Sequence, residues 1–511
     1  MSTVHHQAPA VDRPWAALWS LVIGFFMILV DSTIVSVANP AIMKGLDAGI
    51  DQVIWVTSAY LLAYAVPLLI TGRLGDRFGP RRMFLGGLAV FTIASLLCGL
   101  APSIGLLIAA RALQGFGASF MTPQTMAVIT RIFPPNRRGA AMAIWGSTAG
   151  VAMLVGPIAG GLLVDGLGWE WIFFVNVPVG IVGFVLASRF VPVLPTNAHR
   201  FDLLGVALSA IGMFLLVFGI QEGETYDWGT IVGPITVWGL IITGIVVLVA
   251  FLLWQRFQKG EPLLPLALFA DRNFSLGNVA ITAVGFTVAS MSLPIIFYVQ
   301  LVRGLTPTQS ALIMVPTAVL ALVLAPVSGR LIDKYNPRWF AVMGVVLLSA
   351  ALFWYAWLIN EQAGVLWLLL PAALMGFSNA FVWAPIANAT TRNLPPRQAG
   401  AGSGVYNTTR QVGSVLGSAS IAALIQARLA AELPKRPGGG SASTAQFGEQ
   451  GLPEFLHAGF ATAMAQAIVL PAVVVLVGAV AAAFFARPQT QHGWTAPNGS
   501  EHRSEPANAD R

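Results

Sequence analysis

The sequence predicts an all-α polytopic membrane protein: two six-helix halves with two helices inserted between them, fourteen spans in all, and N and C termini cytoplasmic. Three observations predict it: an apolar composition, a succession of helix-length apolar runs parted by short polar turns, and one loop sequence that occurs twice. Of 511 residues, 56% are hydrophobic and only 10% are charged, a balance that a soluble domain of this length does not carry. A hydrocarbon core about 30 Å thick takes roughly 20 apolar residues per helix, and such runs recur from Trp15 to Phe485. The first begins at Ala16, is too long for a signal-peptide core and has no small-residue cleavage site after it, so it reads as an uncleaved helix.

Taken in order, a cytoplasmic tail over about 1–14 precedes a first half over about 15–190, with helices at roughly 16–40, 51–71, 82–101, 103–127, 138–163 and 169–189. Two inserted helices follow within 203–254, at roughly 203–220 and 231–254. The second half, 273–486, is expected to hold helices at roughly 274–301, 308–328, 338–359, 363–389, 400–428 and 457–486. A long connection near 429–456 and a polar, disordered tail over 487–511 complete the reading, the tail being rich in Pro, Gly, Asn and Ser.

Charge sorts these connections into two sides. Arg73, Arg77, Arg81, Arg82, Arg131, Arg137, Arg138, Arg256, Lys259, Arg330, Lys334 and Arg338 fall on alternate connections that all face one way, while the opposite ones hold only Lys44, Arg303, Arg428, Lys435 and Arg436. Short cytoplasmic loops are the ones enriched in Lys and Arg, which places both termini in the cytoplasm. The acids Asp47, Asp51, Asp165, Glu170, Glu222 and Asp227 fall on the opposite side.

Several function classes drop out. The net charge of +7 is spread between apolar runs and forms no patch for nucleic acid. A single cysteine, Cys98, permits no internal disulfide. The six histidines sit in tails, loops or at a helix edge, so no catalytic base, metal cluster or cofactor site is expected inside the membrane and the chain is not read as an enzyme. No GxxxxGK[ST] phosphate loop occurs, which leaves no ATP-driven step to this chain alone.

The repeat is Gly72-Arg-Leu-Gly-Asp-Arg-Phe-Gly-Pro-Arg-Arg82 against Gly329-Arg-Leu-Ile-Asp-Lys-Tyr-Asn-Pro-Arg-Trp339, six of eleven positions being identical. A two-half transporter with its site at the midplane follows from such a duplication. The first copy resembles the loop between helices 2 and 3 of the major facilitator superfamily. Leu106-Leu-Ile-Ala-Ala-Arg111-Ala-Leu-Gln114-Gly115-Phe-Gly117 is similar to that family's helix 4 motif, and Gly156-Pro157-Ile-Ala-Gly160-Gly161 resembles its helix 5 antiporter motif, with Ala152 where the family often has another glycine. Leu29-Val-Asp31-Ser-Thr-Ile-Val-Ser-Val-Ala-Asn39-Pro40 resembles helix 1 of the fourteen-helix drug:proton antiporters. The resemblance implies a multidrug efflux transporter of the cell inner membrane: a proton-coupled antiporter that exports lipophilic or monocationic small molecules by alternating access. A dedicated lipid or metabolite exporter, or a proton-coupled uptake symporter, is the alternative. The partners are then the substrate, protons and the bilayer, with the chain acting as a monomer.

A charge at the bilayer centre costs about 2.5–3.5 kcal/mol on insertion scales, so Asp31, Arg111 and Arg410 each ask for a reason. Asp31 is set about 9 residues, or about 13 Å, from the outer end of its helix, and Arg111 about 8 residues, or about 12 Å, from the outer end of another. The shared depth suggests that Asp31 carries the proton and Arg111 assists its release; a permanent ion pair that only fixes packing is the alternative. Arg410 either faces the cavity or satisfies carbonyls at a helix junction. Gly72, Asp76, Arg77, Gly79, Arg81, Arg82 and Asp333 form a candidate cytoplasmic gate, the glycines permitting tight turns, and the same arginines also satisfy the positive-inside rule. Gly156, Pro157, Gly160 and Gly161 are read as a closely packed bend. Candidate cavity residues are Tyr60, Tyr64, Gln114, Phe116, Met291, Phe297, Asn379, Trp383, Asn407 and Arg410, each of which can equally serve packing.

Overall fold

Proline sets the start of many of the helices, as expected of a residue whose missing N–H and fixed φ suit a first turn. A computed structural model describes residues 13–133, 135–196, 202–223, 225–258, 262–360, 364–394, 399–433 and 452–486. Both tails and most of the 429–456 connection lie outside the described residues, as do the side chains of Asp76 and Asp333. The order is α1 (Pro14–Gly45), α2 (Ile50–Phe78), α3 (Pro80–Gly99), α4 (Ile104–Ile132), α5 (Pro135–Leu167), α6 (Trp171–Phe174), α7 (Asn176–Phe190), α8 (Leu203–Gln221), α9 (Val237–Phe257), α10 (Arg272–Phe297), α11 (Pro307–Lys334), α12 (Pro337–Leu358), α13 (Leu369–Thr391), α14 (Ala399–Glu432) and α15 (His457–Ala483). Twelve spans among the described residues are long and apolar enough to cross a membrane, α6 and α7 forming one of them. The long helices α2 and α5 lie outside that twelve because each includes side chains outside the described residues, and the described stretch of α5, Val155–Leu167, is a shorter apolar helix.

Two departures from the sequence reading concern helix ends. α2 runs on through the Gly72 segment to Phe78, and only Gly79, at φ 94°, makes the turn into α3. Gly72 and Gly75 are therefore helical, and Gly75 serves close packing, since a β-carbon there would overlap the Gln124 amide. The stretch expected to open the second inserted helix instead forms a small antiparallel hairpin, β1 (Thr230–Val232) with β2 (Ile235–Thr236), turned at Gly233 with φ 53°.

The packing repeats itself. α1 lies against α5 and α7, α3 against α4 and α7, and α2 against α4; after α9, α10 lies against α14 and α15, α12 against α13 and α15, and α11 against α13. The two sets meet along α5 with α11 and α2 with α14, pairs that the same repeat relates. α8 and α9 pack on each other, and α8 also touches α2 and α14, alongside that second seam. Only 22% of the apolar window of α9 is buried, against 67% for α1, which makes α1 a central helix and α9 a peripheral one with its apolar face outward.

Candidate functional site

Four helices of the first set bring their few polar residues to one point. Asp31 on α1 is fully buried, and Arg111 on α4 is 1% exposed. The Arg111 Nη1 donates to Asp31 Oδ2 at 2.6 Å and to Gln114 Oε1 at 2.7 Å, and its Nε donates to the Val56 carbonyl of α2 at 3.1 Å. Gln114 Nε2 and Asn176 Nδ2 both donate to Asp31 Oδ1, at 2.8 and 2.9 Å. Asn176 also reaches Ser95 Oγ at 3.0 Å, and Ser95 in turn donates to the Phe173 carbonyl. Three donors on one carboxylate match the acceptor-only chemistry of an ionised acid. The guanidinium lies over the Tyr60 ring, 4.2 Å from its centre, a stacking that gains strength where water is absent.

This cluster borders a central cavity of about 260 Å³ between the two helix sets, walled by α1, α2, α4 and α5 from one and α10, α11, α13 and α14 from the other. Tyr60, Tyr64, Met291, Asn379, Trp383 and Arg410 line it, as do Arg111 and Pro157, whereas Asp31 stands behind Arg111 out of reach of the cavity. Arg410 lies 5.9 Å from the centre of the Trp383 ring. The structure places four other candidates elsewhere. Gln114 belongs to the Asp31 cluster, because it is one helical turn from Arg111 on the same face. Phe116 is 43% exposed on the outer surface of α4 beside Phe120; Phe297 is fully enclosed by packing; Asn407 is not in the cavity wall.

Along α5 the glycines take up close approaches. A β-carbon at Gly156 would overlap Thr33 of α1, one at Gly160 would come within 2.6 Å of Ile34, and one at Gly161 within 2.6 Å of the Thr308 Cα of α11. The Thr308 amide donates to Asp165 at 2.9 Å, so an acid at the end of α5 caps the first turn of α11. Gln300 donates to the Val37 carbonyl at 3.0 Å, and Ser58 and Ser418 share a hydrogen bond at 2.7 Å. The Asp165 and Gln300 contacts join the two sets at the end that carries few arginines. At the other end, Arg81 donates to the Ser188 carbonyl of α7, Arg73 donates to the Pro262 carbonyl, and Arg77 lies over the Phe78 ring.

The comparisons agree with this architecture. Residues 21–418 match the family model described as Major Facilitator Superfamily. The chain belongs to that superfamily. An uncharacterised MFS-type transporter of Mycobacterium tuberculosis is 52% identical over 479 residues, covering 92% of this chain and 81% of its own length. The tetracenomycin C resistance and export protein of Streptomyces glaucescens is 34% identical, covering 85% and 82%. The probable actinorhodin transporter of Streptomyces coelicolor is also 34% identical, covering 81% and 73%. Among solved structures, a peptide transporter crystallised with sulfate overlays with a TM-score of 0.61 at 15% identity, covering 90% of this chain and 93% of its own; at that identity the likeness speaks for the fold alone.

In this facilitator the sequence reading missed Asn176, which with Gln114 holds Oδ1 of Asp31, Ser95, which accepts from Asn176, and Asp165 and Gln300 as the residues that tie the two helix sets together. Asn176 had left one signal, an amide inside the apolar run Trp171–Phe190, at the point where α6 gives way to α7.

Proposed function

We propose that this facilitator is a proton-coupled antiporter that exports lipophilic small molecules across the cell inner membrane, with fourteen spans, cytoplasmic termini and Asp31 as the proton carrier. The observation that carries the proposal is the fully buried Asp31 carboxylate beside the cavity, held by donors on Arg111, Gln114 and Asn176. A proton arriving on Oδ1 would face two amide hydrogens, and one on Oδ2 would face the guanidinium. Protonation therefore disrupts this arrangement: on Oδ1 it displaces the amide donors, and on either oxygen it removes the negative charge that holds Arg111 to α1, which favours release of Arg111. Because Arg111 also lines the cavity, that release changes the substrate's wall. This is the differential contact that any coupling between two ligands requires.

Counting α2 and α5 as spans gives fourteen, and the positive-inside rule puts the arginine-rich end in the cytoplasm. On that orientation the contacts of Asp165, Gly161 and Gln300 seal the outer side, which fits an inward-facing state of an alternating-access cycle. The names of the exporting relatives favour efflux over uptake. The test is efflux from cells and uptake into inverted vesicles with a panel of neutral, cationic and anionic lipophilic dyes, with and without an uncoupler. Gradient-dependent export that Asp31→Asn abolishes is expected; pumping by Asp31→Asn that still follows the pH gradient overturns the proton-carrier assignment.

A further inference from the structure

The cavity contains a second guanidinium that no described residue neutralises. Arg111 has Asp31, but among the described residues Arg410 makes no ion pair, and its Nε is buried with no hydrogen-bond partner. Asn379 Oδ1, in the same wall, is also buried and unpartnered. Aromatic and soft side chains share the wall with several serines and threonines, Trp383 lying beside Arg410 and Met291, Met314 and Met375 in the same lining. Arg410 is half-buried, and a cation in a largely apolar cavity at this depth is costly unless something answers its charge; a planar guanidinium on an aromatic neighbour is the group best shaped for a carboxylate or phenolate.

We infer that this transporter selects planar lipophilic weak acids, bound as anions with the acidic group on Arg410 and the ring system against Trp383. The inference rests on the proposed export reading and narrows its substrate class. Monocationic lipophiles, which the sequence alone left open, would bring a like charge to Arg410. The Asn379 carbonyl oxygen supplies an acceptor for a hydroxyl on the same ligand, so hydroxylated aromatic acids fit both orphaned groups.

The experiment measures binding of three matched probes to the full chain in lipid nanodiscs, with empty nanodiscs as blank: β-naphthoate, β-naphthamide and β-naphthylmethylammonium. A charge-assisted hydrogen bond predicts that the carboxylate binds about 10-fold or more tightly than the amide, with the ammonium weakest. Arg410→Gln should erase the carboxylate's advantage, and Arg410→Lys should keep part of it. An ammonium probe that binds as tightly as the carboxylate, or an Arg410→Gln protein that keeps the preference, overturns the inference. If Arg410→Gln does not fold, Arg410→Lys decides: a reduced preference supports the site, and an unchanged one overturns it. Asp31→Asn separates the two proposals, since it should lose coupling, while adding Arg410→Gln in that background should still weaken carboxylate binding. Coupling that survives in Asp31→Asn, with the preference still dependent on Arg410, removes the proton-carrier reading alone.

Discussion

Asp31 takes its three donors from two other helices, and each removal has its own consequence. Losing Arg111 alone leaves a buried carboxylate without a cation, a change that costs about 3–5 kcal/mol when one partner of a buried pair is deleted. Arg111→Gln is therefore expected to lower thermal stability more than the double variant Asp31→Asn/Arg111→Gln, measured by melting in detergent. Tyr60 behaves differently. Its hydroxyl is buried and unpartnered while its ring carries the guanidinium, so Tyr60→Phe should leave transport and stability close to the unmodified protein and Tyr60→Ala should impair both. Asp31 and Arg111 were legible in the sequence because a charge in a membrane helix is costly wherever it points, and counting residues gave them one depth. Asn176 and Ser95 were not, because an uncharged polar group in an apolar run is cheap, and only the rotation of its helix decides whether it meets a carboxylate.

Between elements, the α5 glycines bring the helix onto both α1 and α11. Gly413 and Gly417 of α14 repeat this against Thr282 and Phe286 of α10, so the repeat extends from loop sequence to packing. Gly160→Leu should separate α5 from α1 and reduce folded yield, as read by gel filtration. Asp165→Asn removes the charge that caps α11, and on the proposed orientation it loosens the outer seal. A cysteine at Ser36, in a background lacking Cys98, should then label about two- to fivefold faster with an impermeant maleimide from outside, the modest gain expected for an exposed contact. The inserted pair, to which the sequence assigned no role, grips α2 at both ends. Trp55 donates to Glu222 after α8, and Arg73 donates to the Pro262 carbonyl after α9. Asp202 ties the two inserted helices together by accepting from Trp254 at 2.7 Å and from Gln255 at 2.6 Å. Those contacts were illegible because hydropathy marks a helix without saying what it leans on. The hairpin before α9 escaped for a related reason: its residues are as apolar as a helix start.

At the scale of the molecule, the duplicated loop carried the most information, because it implied a site where two related helix sets meet, and the cavity lies there. The direction of transport, its coupling and its substrates depend on differences between states, which a pattern of apolar runs does not encode. The proposed cycle turns on one exchange: Asp31 released from Arg111 by a proton, and held again when the proton leaves. The most direct test places the full chain in proteoliposomes with a fluorescent dye that the unmodified protein pumps, and compares dye accumulation driven by an imposed pH gradient with dye-for-dye exchange in its absence. The account predicts that Asp31→Asn keeps exchange and loses gradient-driven accumulation. An Asp31→Asn protein that still concentrates the dye under the pH gradient would contradict it.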